Sequence, residues 1–300
     1  MKLAIVGVFY SGYVDLWMDF LNLYQKNIGF EKYPLYVISD EYNYETLKEK
    51  YQQANFISAG VGAEYSKKVQ EAINNIDADY YLILLEDFFI SKKVDLNYIN
   101  EIMNFIEDNN IDYYTMPIPE FVDKKERKKF SKDSKVFKIN KNKEYVLSCQ
   151  PSIWRKGFLK LCIGIDNYNA WIFEGIFART ECVRNDKFLE KCVIDYRNPL
   201  NLLHGAVQGK MIRKTVKLLK NRGYQLTTNR SSLTTKQTLI RGFKKFVLRC
   251  LSLVGLKRII SKYNKKSILE RYRNDIIFYS ERVINQEKID KYIIERDELK

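Results

Sequence analysis

The sequence predicts an α/β protein in which a mixed, mainly parallel sheet is covered by helices on both faces. Short apolar runs that suit strands alternate with longer helix-like segments over residues 1–120. These runs are almost continuously apolar and do not alternate between apolar and polar residues, which is typical of strands buried on both faces. With 300 residues, 46% of them apolar, the chain is large enough for one such domain and an appendage.

Five strand-like segments and four helical segments make up this alternation. The strand-like segments are residues 3–9, 35–39, 55–58, 80–85 and 113–118. The helical segments are residues 14–26, 44–53, 64–76 and 95–107. In the third helical segment one face is formed by Val69, Ala72, Ile73 and Ile76, as a helix packed on a sheet requires. This order of elements predicts parallel strands joined through helices.

Beyond the last strand-like segment the chain changes character. Residues 121–144 are charged and nearly free of apolar side chains, which predicts a surface loop over the site. A helix is predicted over residues 205–221, and the polar stretch TTNRSSLTTKQ that follows has the composition of a linker. We therefore expect a main domain at residues 1–230 and a separate tail at residues 231–300. The main domain has two halves, at about residues 1–120 and 145–225.

The formal net charge of +14 is concentrated in the tail. Residues 241–273 hold eleven Lys or Arg residues and one acid, Glu270, so all other residues together carry only +4. A protein of pI 9.3 is a candidate for binding nucleic acid through its phosphates. Because the charge lies in the tail and the aromatic residues lie in strand-like core segments, we expect no specific nucleic-acid partner.

Several other classes of protein are disfavoured. The five cysteines are odd in number and have no CxxC or other metal-ligand spacing, which indicates buried thiols in a reducing compartment. The N-terminal MKLAIVGVFYSGY has no small-residue cleavage site, so we interpret it as a strand and not as a signal peptide. The sequence has no run of 18 apolar residues, so no membrane span is predicted. G-x-G-x-x-G and P-loop patterns are absent, which argues against a nicotinamide enzyme and a P-loop kinase.

The most informative segment is DADYYLILLEDFFI, residues 77–90. Its apolar strand ends in two acids, Glu86 and Asp87, at the edge where open α/β sheets bind ligands. Neighbouring side chains of a strand point to opposite faces, so the two acids have different roles. A carboxylate there suits Mg²⁺ or Mn²⁺, which prefer oxygen ligands and bridge diphosphate oxygens. The alternative is that the acids only mark the point where the strand reaches solvent.

This segment resembles the DxD region of GT-A glycosyltransferases, in which a strand-end carboxylate motif holds a metal-bound sugar nucleotide. The spelling here is Glu86-Asp87-Phe88, so the first and third acids of the usual motif are not both present. The resemblance implies a GT-A, Rossmann-like fold with a Mg²⁺ or Mn²⁺ cofactor. It makes Asp87 the metal ligand and places both acids next to the donor.

Residues after the first two strands carry the same resemblance. Tyr10 and Ser11 look like the GT-A turn that meets the nucleotide base. Asp40 matches the acid that commonly recognises uracil in such folds, and the alternative is that it caps the following helix. The resemblance covers roughly residues 1–225, and it makes the N-terminal half the donor half, with a UDP-sugar favoured.

Two segments of the second half, CQPSIWRKGFL and NAWIFEG, resemble a group of bacterial GT-A enzymes of surface and capsular polysaccharide biosynthesis. Those enzymes carry a Q-x-x-x-W-R segment and then a W-x-F-E segment. The resemblance implies that the sugar and acceptor side of the pocket is lined by Gln150, Trp154, Arg155 and Trp171. It makes Glu174 the general base of an inverting enzyme, which accepts the proton of the acceptor hydroxyl as that oxygen attacks C1. The alternative is that both tryptophans are core residues and Glu174 is solvated.

The segment LLHGAVQGKMIRK contains His204, the only histidine of the chain. Its His-Gly-x-x-x-Gly-Lys order is similar to the C-terminal segment by which some GT-A enzymes complete the metal shell and grip the diphosphate. Glycines allow the backbone to approach phosphate closely, and Lys210 adds a positive charge. This resemblance implies that His204 binds metal and Lys210 binds the donor. The alternative is a structural histidine at the start of a helix.

The tail sequence RGFKKFVLRCLSLVGLKRIISKYNKK interleaves large apolar residues with Lys and Arg. It predicts a basic helical extension that lies on an anionic membrane surface through residues 241–273, with about 1 kcal/mol from each nearby basic residue. The alternative is that its apolar face packs on the main domain. A membrane location suits a lipid-linked acceptor, so we expect a cytoplasmic protein that is peripheral on the inner face of the cell membrane.

Taken as a whole, the residues and their resemblance predict an enzyme, a glycosyltransferase that moves a sugar from a nucleotide-sugar to a glycan or lipid-linked acceptor. The nearest alternative is a nucleotidyltransferase, which also uses strand-end carboxylates and a metal. Such an enzyme usually has a glycine-rich, basic loop for triphosphate, and IVGVFYSGY contains no Lys or Arg. A further alternative is a basic, non-enzymatic protein that binds membrane or nucleic acid.

Overall fold

The computed structural model describes residues 1–40, 45–118, 128–132, 134–142, 145–234, 237 and 268–298. Its strands are β1 Leu3–Phe9, β2 Leu35–Ser39, β3 Asn55–Ser58, β4 Tyr80–Leu85, β5 Phe88–Ile90, β6 Tyr113–Thr115, β7 Phe137–Lys138, β8 Ser152–Arg155, β9 Cys192–Ile194, β10 Leu202–His204, β11 Ala206–Val207 and β12 Lys210–Met211. Its helices are α1 Val14–Asn27, α2 Glu45–Lys50, α3 Tyr65–Asn75, α4 Leu96–Asp108, α5 Lys156–Ile163, α6 Ala170–Arg179, α7 Asp186–Leu189, α8 Arg213–Asn221, α9 Ile268–Arg271, α10 Arg273–Val283 and α11 Gln286–Glu298.

An eight-stranded sheet forms the centre of the protein. Strands β3, β2, β1 and β4 lie side by side in that order and pair in parallel. The sheet continues through β8, β6, β9 and β7, in which β8 is antiparallel to both of its neighbours and β6 is parallel to β9. The predicted mixed, mainly parallel sheet with flanking helices is therefore confirmed, and helices α9 to α11 form a C-terminal helical extension.

Each face of the sheet carries its own apolar core. On one face, α1 buries Trp17 and Phe20 completely. On the other face, α5 and α6 bury Phe158 and Phe173 around Trp154. Full burial of one such apolar side chain stabilises the fold by about 1.5–3 kcal/mol. The near-continuous apolar character of the strands follows from this covering on both sides.

The prediction of a helix over residues 205–221 is wrong for the first half of that range. His204 ends strand β10, which pairs with β5, and a β11–β12 hairpin follows. Gln208 and Gly209 turn this hairpin with φ values of 50° and 76°, which a right-handed helix does not contain. The helix begins only at Arg213. The residues expected at a helix N-terminus therefore belong to a strand end and a tight turn.

The polar stretch expected to be a linker is bonded to the main domain over its first residues. The carboxylate of Asp19, fully buried on α1, accepts hydrogen bonds from the backbone N–H groups of Thr227 (2.8 Å) and Thr228 (3.2 Å) and from the hydroxyl of Tyr224 (2.9 Å). Composition alone marked these residues as a linker, and the buried acid explains why they are instead held in place. A boundary near residue 230 stays a prediction.

The described part of the tail packs on the main domain. Ile276 and Val283 of α10 and Ile289 of α11 are buried in the core on the α5 and α6 side. Tyr292 and Arg296 bond the two carboxylate oxygens of the buried Asp112 at 2.8 Å and 3.1 Å. Residues 268–298 are therefore held against the main domain by this packing. The basic segment 241–267 lies outside the described residues, as do residues 119–127 of the predicted surface loop.

Within the described part of the chain, no helix combines the length and the apolar character needed to cross a membrane.

Candidate functional site

The candidate site lies at the carboxyl edge of the parallel strands. Val8 of β1 is paired with Ile38 of β2 on one side and with Leu85 of β4 on the other, so these three strands end at the same level. Residues immediately after them are therefore brought together. They are the turn 10–13, Asp40, and the pair Glu86–Asp87, which is the convergence that the sequence predicts.

Asp40 holds the turn that follows β1. Its carboxylate accepts hydrogen bonds from the backbone N–H of Ser11 (3.2 Å) and from the Ser11 hydroxyl, and it pairs with the ammonium of Lys68 at 3.0 Å. Burial raises the pKa of Asp40, but the hydrogen bonds from Ser11 and Lys68 outweigh burial and hold the pKa below its ordinary value. Asp40 is therefore charged at neutral pH and fixes the conformation of the turn.

Tyr10 presents its ring at the surface of this turn. The side chain is 52% exposed, and its ring centroid lies 5.5 Å from the ammonium of Lys68. The backbone carbonyl of Tyr10 accepts a hydrogen bond from the indole N–H of the buried Trp17 at 3.3 Å. An exposed aromatic ring on a backbone held in this way can stack on a planar base.

Glu86 and Asp87 have different surroundings, as expected for neighbours at a strand end. Glu86 is buried, and burial together with the charge of Asp87 raises the pKa of Glu86 to about 8. Glu86 is therefore mostly protonated at neutral pH. Asp87 reaches His204, whose Nε2 lies 3.1 Å from Asp87 Oδ2. The backbone carbonyl of Asp87 accepts the N–H of Gly205 at 2.6 Å, which fixes the end of β10 beside Asp87.

The Asp87 and His204 side chains are bonded to each other, and a carboxylate oxygen and an imidazole nitrogen are both ligand types of divalent ions. Their 3.1 Å separation is that of a hydrogen bond or ion pair, which a bound ion would replace. Within the described ranges, no group of three or more His, Cys, Asp or Glu residues could hold a metal. Mg²⁺ is commonly held by one or two carboxylates plus substrate phosphates and water, so the remaining ligands would come from the substrate.

Glu174 lies on the same side of the site, one turn into α6. Its carboxylate accepts the backbone N–H of Cys149 at 3.0 Å. Burial raises the pKa of Glu174, while the N–H of Cys149 and the charge of His204 lower it less. A raised pKa moves the carboxyl toward the range in which it can accept a proton near neutral pH. The role of Glu174 as a base stays a prediction.

The four residues expected on the acceptor side do not come together. Trp171 is 43% exposed at the start of α6, and Gln150 accepts the backbone N–H of Ile118 at 3.3 Å, at the carboxyl edge. Trp154, by contrast, is 1% exposed in the core. Arg155 ends β8 opposite Tyr80, at the amino edge of β4.

Trp154 and Arg155 therefore do not line the site, which corrects the expectation from their motif. Strand β8 is antiparallel to β4, so it begins at the carboxyl edge and carries its last residue to the opposite edge. There the guanidinium of Arg155 pairs with the buried Asp112 at 2.9 Å. The core alternative is correct for Trp154, whose ring lies 4.3 Å from that of Tyr113.

No family model and no curated protein sequence matches the chain. Among solved structures, S. aureus TarS is 15% identical over 66% of this chain and 35% of its own, with a TM-score of 0.45. S. aureus TarS 1-349 in complex with UDP-GlcNAc is 13% identical over 66% of this chain and 56% of that one, with a TM-score of 0.42. A cytidylyltransferase from Leptospira borgpetersenii is 12% identical over 65% and 76%, with a TM-score of 0.40.

This chain thus spans about a third of the length of TarS and little more than half of its fragment. All of these TM-scores lie below 0.5.

Lys210 is the first residue of β12, directly after Gln208 and Gly209 in the hairpin segment 208–210. Its side chain is partly exposed and makes no ion pair within the described part of the chain. The preceding Gly209 donates its backbone N–H to the hydroxyl of Tyr13 at 2.9 Å. Burial raises the pKa of Tyr13, and the charges of Asp87 and Glu86 raise it further, whereas the hydrogen bond from Gly209 lowers it.

Three polar residues of the site were not predicted, namely Lys68, Tyr13 and Arg230. Lys68 had a detectable signal, because it lies on the buried face of α3 four residues before Ala72, where a solvated lysine is out of place. Arg230 gave no such signal, since it lies in a polar stretch that reads as a linker. Its contacts with Asp15 and Gly12 join it to segments more than 200 residues earlier in the chain.

Proposed function

We propose that this chain is a glycosyltransferase that moves a sugar from a nucleotide-sugar, preferably a UDP-sugar, to a glycan acceptor with inversion at C1. The observation that carries the proposal is the Asp87–His204 pair, 3.1 Å apart, beside the turn of Tyr10 and within electrostatic reach of Glu174. Along the carboxyl edge of the sheet, these groups provide a surface for the nucleobase, a surface for the diphosphate and a carboxyl with a raised pKa.

Each group has one task in the proposed reaction. Tyr10 stacks on the base, and Asp40 keeps the turn of Ser11 in shape. Asp87 and His204 face the diphosphate together with Mg²⁺ or Mn²⁺, which when bound would neutralise the charge on the leaving diphosphate. The acceptor oxygen attacks C1 while the bond from C1 to the diphosphate oxygen breaks, and Glu174 takes the acceptor proton.

A nucleotidyltransferase is the second candidate, because the same acids and metal would serve it. The turn 10–13 argues against it, since this turn contains no Lys or Arg for a triphosphate. The nearby Lys68 is already paired with Asp40 at 3.0 Å. The compared structures include a UDP-GlcNAc complex and a cytidylyltransferase, so they do not choose between the two.

We also propose a lipid-linked acceptor in surface or capsular polysaccharide biosynthesis and peripheral binding to the inner face of the membrane. The basic residues of 241–273 support this proposal through their charge. Glutamine at the Lys and Arg positions of 241–266 should release the protein from anionic vesicles without changing its melting temperature. Unchanged cosedimentation would remove this segment as the anchor.

A thermal-shift panel tests the proposed donor. UDP-, GDP- and CMP-sugars are each added to the protein with and without Mg²⁺ or Mn²⁺, and a ligand at 100 times its Kd should stabilise the folded state by about 2.7 kcal/mol. We expect a UDP-sugar with metal to raise the melting temperature of the wild type. Asp87→Asn, which keeps the size of the side chain, should lose that rise. Stabilisation by CTP alone, retained in Asp87→Asn, would count against the proposal.

A further inference from the structure

Arg230 joins two segments of the candidate site that are far apart in the sequence. Its Nη2 donates to the backbone carbonyl of Gly12 at 3.1 Å, and its Nη1 donates to the backbone carbonyl of Gly209 at 3.3 Å. The guanidinium therefore bridges the turn 10–13, beside the expected base, and the hairpin turn 208–210, which carries Lys210. The side chain is 17% exposed, so water competes little for these bonds.

Two further residues complete this arrangement. Asp15 of α1 accepts from Nε of Arg230 at 3.0 Å and from Nη2, and the hydrogen bonds from Arg230 hold the pKa of Asp15 below its ordinary value. The guanidinium lies 4.2 Å from the ring centroid of Tyr13, whose hydroxyl accepts the Gly209 N–H at 2.9 Å. Both polar backbone groups of Gly209 are thus held, one by Arg230 and one by Tyr13.

The geometry requires an arginine. A planar guanidinium can donate to a carboxylate and to two carbonyls at fixed angles, whereas a lysine ammonium is a single point charge. Gly209 has a φ of 76° and would place a Cβ 3.7 Å from Nη1 of Arg230, so the turn and the guanidinium lie in close contact.

We propose that Tyr13, Asp15 and Arg230 form a clasp that presets the hairpin turn 208–210, with Lys210, against the turn 10–13 for binding a nucleoside diphosphate. This inference rests on the proposed function and adds to it a positioning residue, Arg230, that does not touch the substrate. Without the clasp, the hairpin must be ordered when the ligand binds, and this ordering costs affinity.

The test compares Arg230→Gln with a matched control, Arg222→Gln. Arg222 is also a partly exposed arginine that donates to a backbone carbonyl, that of Ser91 at 3.3 Å, but it lies at the end of α8. Amide hydrogen exchange of residues 205–211 is measured without ligand, and the affinity for UDP is measured by calorimetry with Mg²⁺. Arg230→Gln should speed exchange of these amides and weaken UDP binding by about tenfold to a hundredfold, as expected for loss of a charge-assisted hydrogen bond.

Arg222→Gln should change neither quantity, and Tyr13→Phe should speed exchange mainly at Gly209. Arg230→Lys should restore only part of the affinity. Unchanged exchange in Arg230→Gln would overturn the clasp, and faster exchange with wild-type affinity would overturn its positioning role. If the wild type binds no UDP, the proposed function and the positioning role fail together. The exchange data, which need no ligand, separate that failure from failure of the clasp itself.

Discussion

At the residue scale, Glu174 carries the proposed chemistry. Its carboxyl is held by the Cys149 N–H at 3.0 Å, and burial raises its pKa. Glu174→Gln keeps the size of the side chain and removes its capacity to accept a proton. We therefore expect turnover to fall by about 10²–10⁴-fold while the calorimetric affinity for the donor changes little. In the wild type, turnover should rise with pH as Glu174 loses its proton.

The stereochemistry of the product checks the same assignment independently. One base-assisted displacement inverts C1, so proton NMR should find the product with the anomeric configuration opposite to that of the donor. A retained configuration would exclude Glu174 as the base of a single displacement even if Glu174→Gln were inactive.

Glu86 gives a prediction about stability and pH. In the unfolded chain it loses its proton near its ordinary pKa of 4.5, whereas in the folded chain burial and the charge of Asp87 raise the pKa to about 8. Between these values the folded state binds more protons than the unfolded state, so this contribution to stability is present below pH 4.5 and is lost as the pH rises through 8. Urea unfolding from pH 5 to 9 should show a steeper decline for wild type than for Glu86→Gln. Parallel declines would show that the proton of Glu86 does not cause the loss of stability.

At the element scale, the C-terminal helix α11 is fixed by a buried ion pair. Arg296 is 4% exposed and its Nη1 lies 3.1 Å from Oδ2 of Asp112, which is fully buried. Removing one partner of a buried pair typically costs about 3–5 kcal/mol, and the second ion pair of Asp112, with Arg155 at 2.9 Å, keeps the cost at the low end of that range. We expect Arg296→Leu to lower the free energy of unfolding by that amount, measured with urea. Lys291→Ala in the same helix breaks only an exposed pair with Glu295 and should cost less than about 1 kcal/mol.

If Arg296→Leu matched Lys291→Ala in stability, α11 would not depend on this pair.

Removing residues 231–300 is a poor test of membrane binding for a related reason. The deletion would also take away the buried Ile276, Val283 and Ile289 and expose the core beneath them.

Elements whose pattern is local were predicted well, and elements formed by distant pairing were not. Strands β1, β2, β3 and β4 were predicted with their observed bounds, because each is a short apolar run. Strand β8 was missed because only its insertion between β4 and β6 makes it a strand. That same insertion explains why Trp154 and Arg155, adjacent in their motif, lie away from the site. The β11–β12 hairpin was missed because its turn depends on Gly209 and on contacts with Tyr13 and Arg230.

At the scale of the whole molecule, the central question is which bond of a nucleotide-sugar the site breaks. A glycosyltransferase breaks the bond between C1 and the diphosphate, whereas a nucleotidyltransferase breaks and forms the bond between two phosphates. Both outcomes are compatible with Asp87, His204 and a metal. The placement of Glu174 and the uncharged turn 10–13 favour the first.

Phosphorus NMR of a UDP-sugar incubated with the protein, Mg²⁺ and pyrophosphate distinguishes the two reactions directly. We predict that the two signals of free UDP appear, slowly by hydrolysis and faster with a glycan acceptor, and that Asp87→Asn abolishes them. Appearance of UTP and a sugar 1-phosphate would contradict the proposed glycosyl transfer, since these products arise only when pyrophosphate attacks the nucleotide phosphorus.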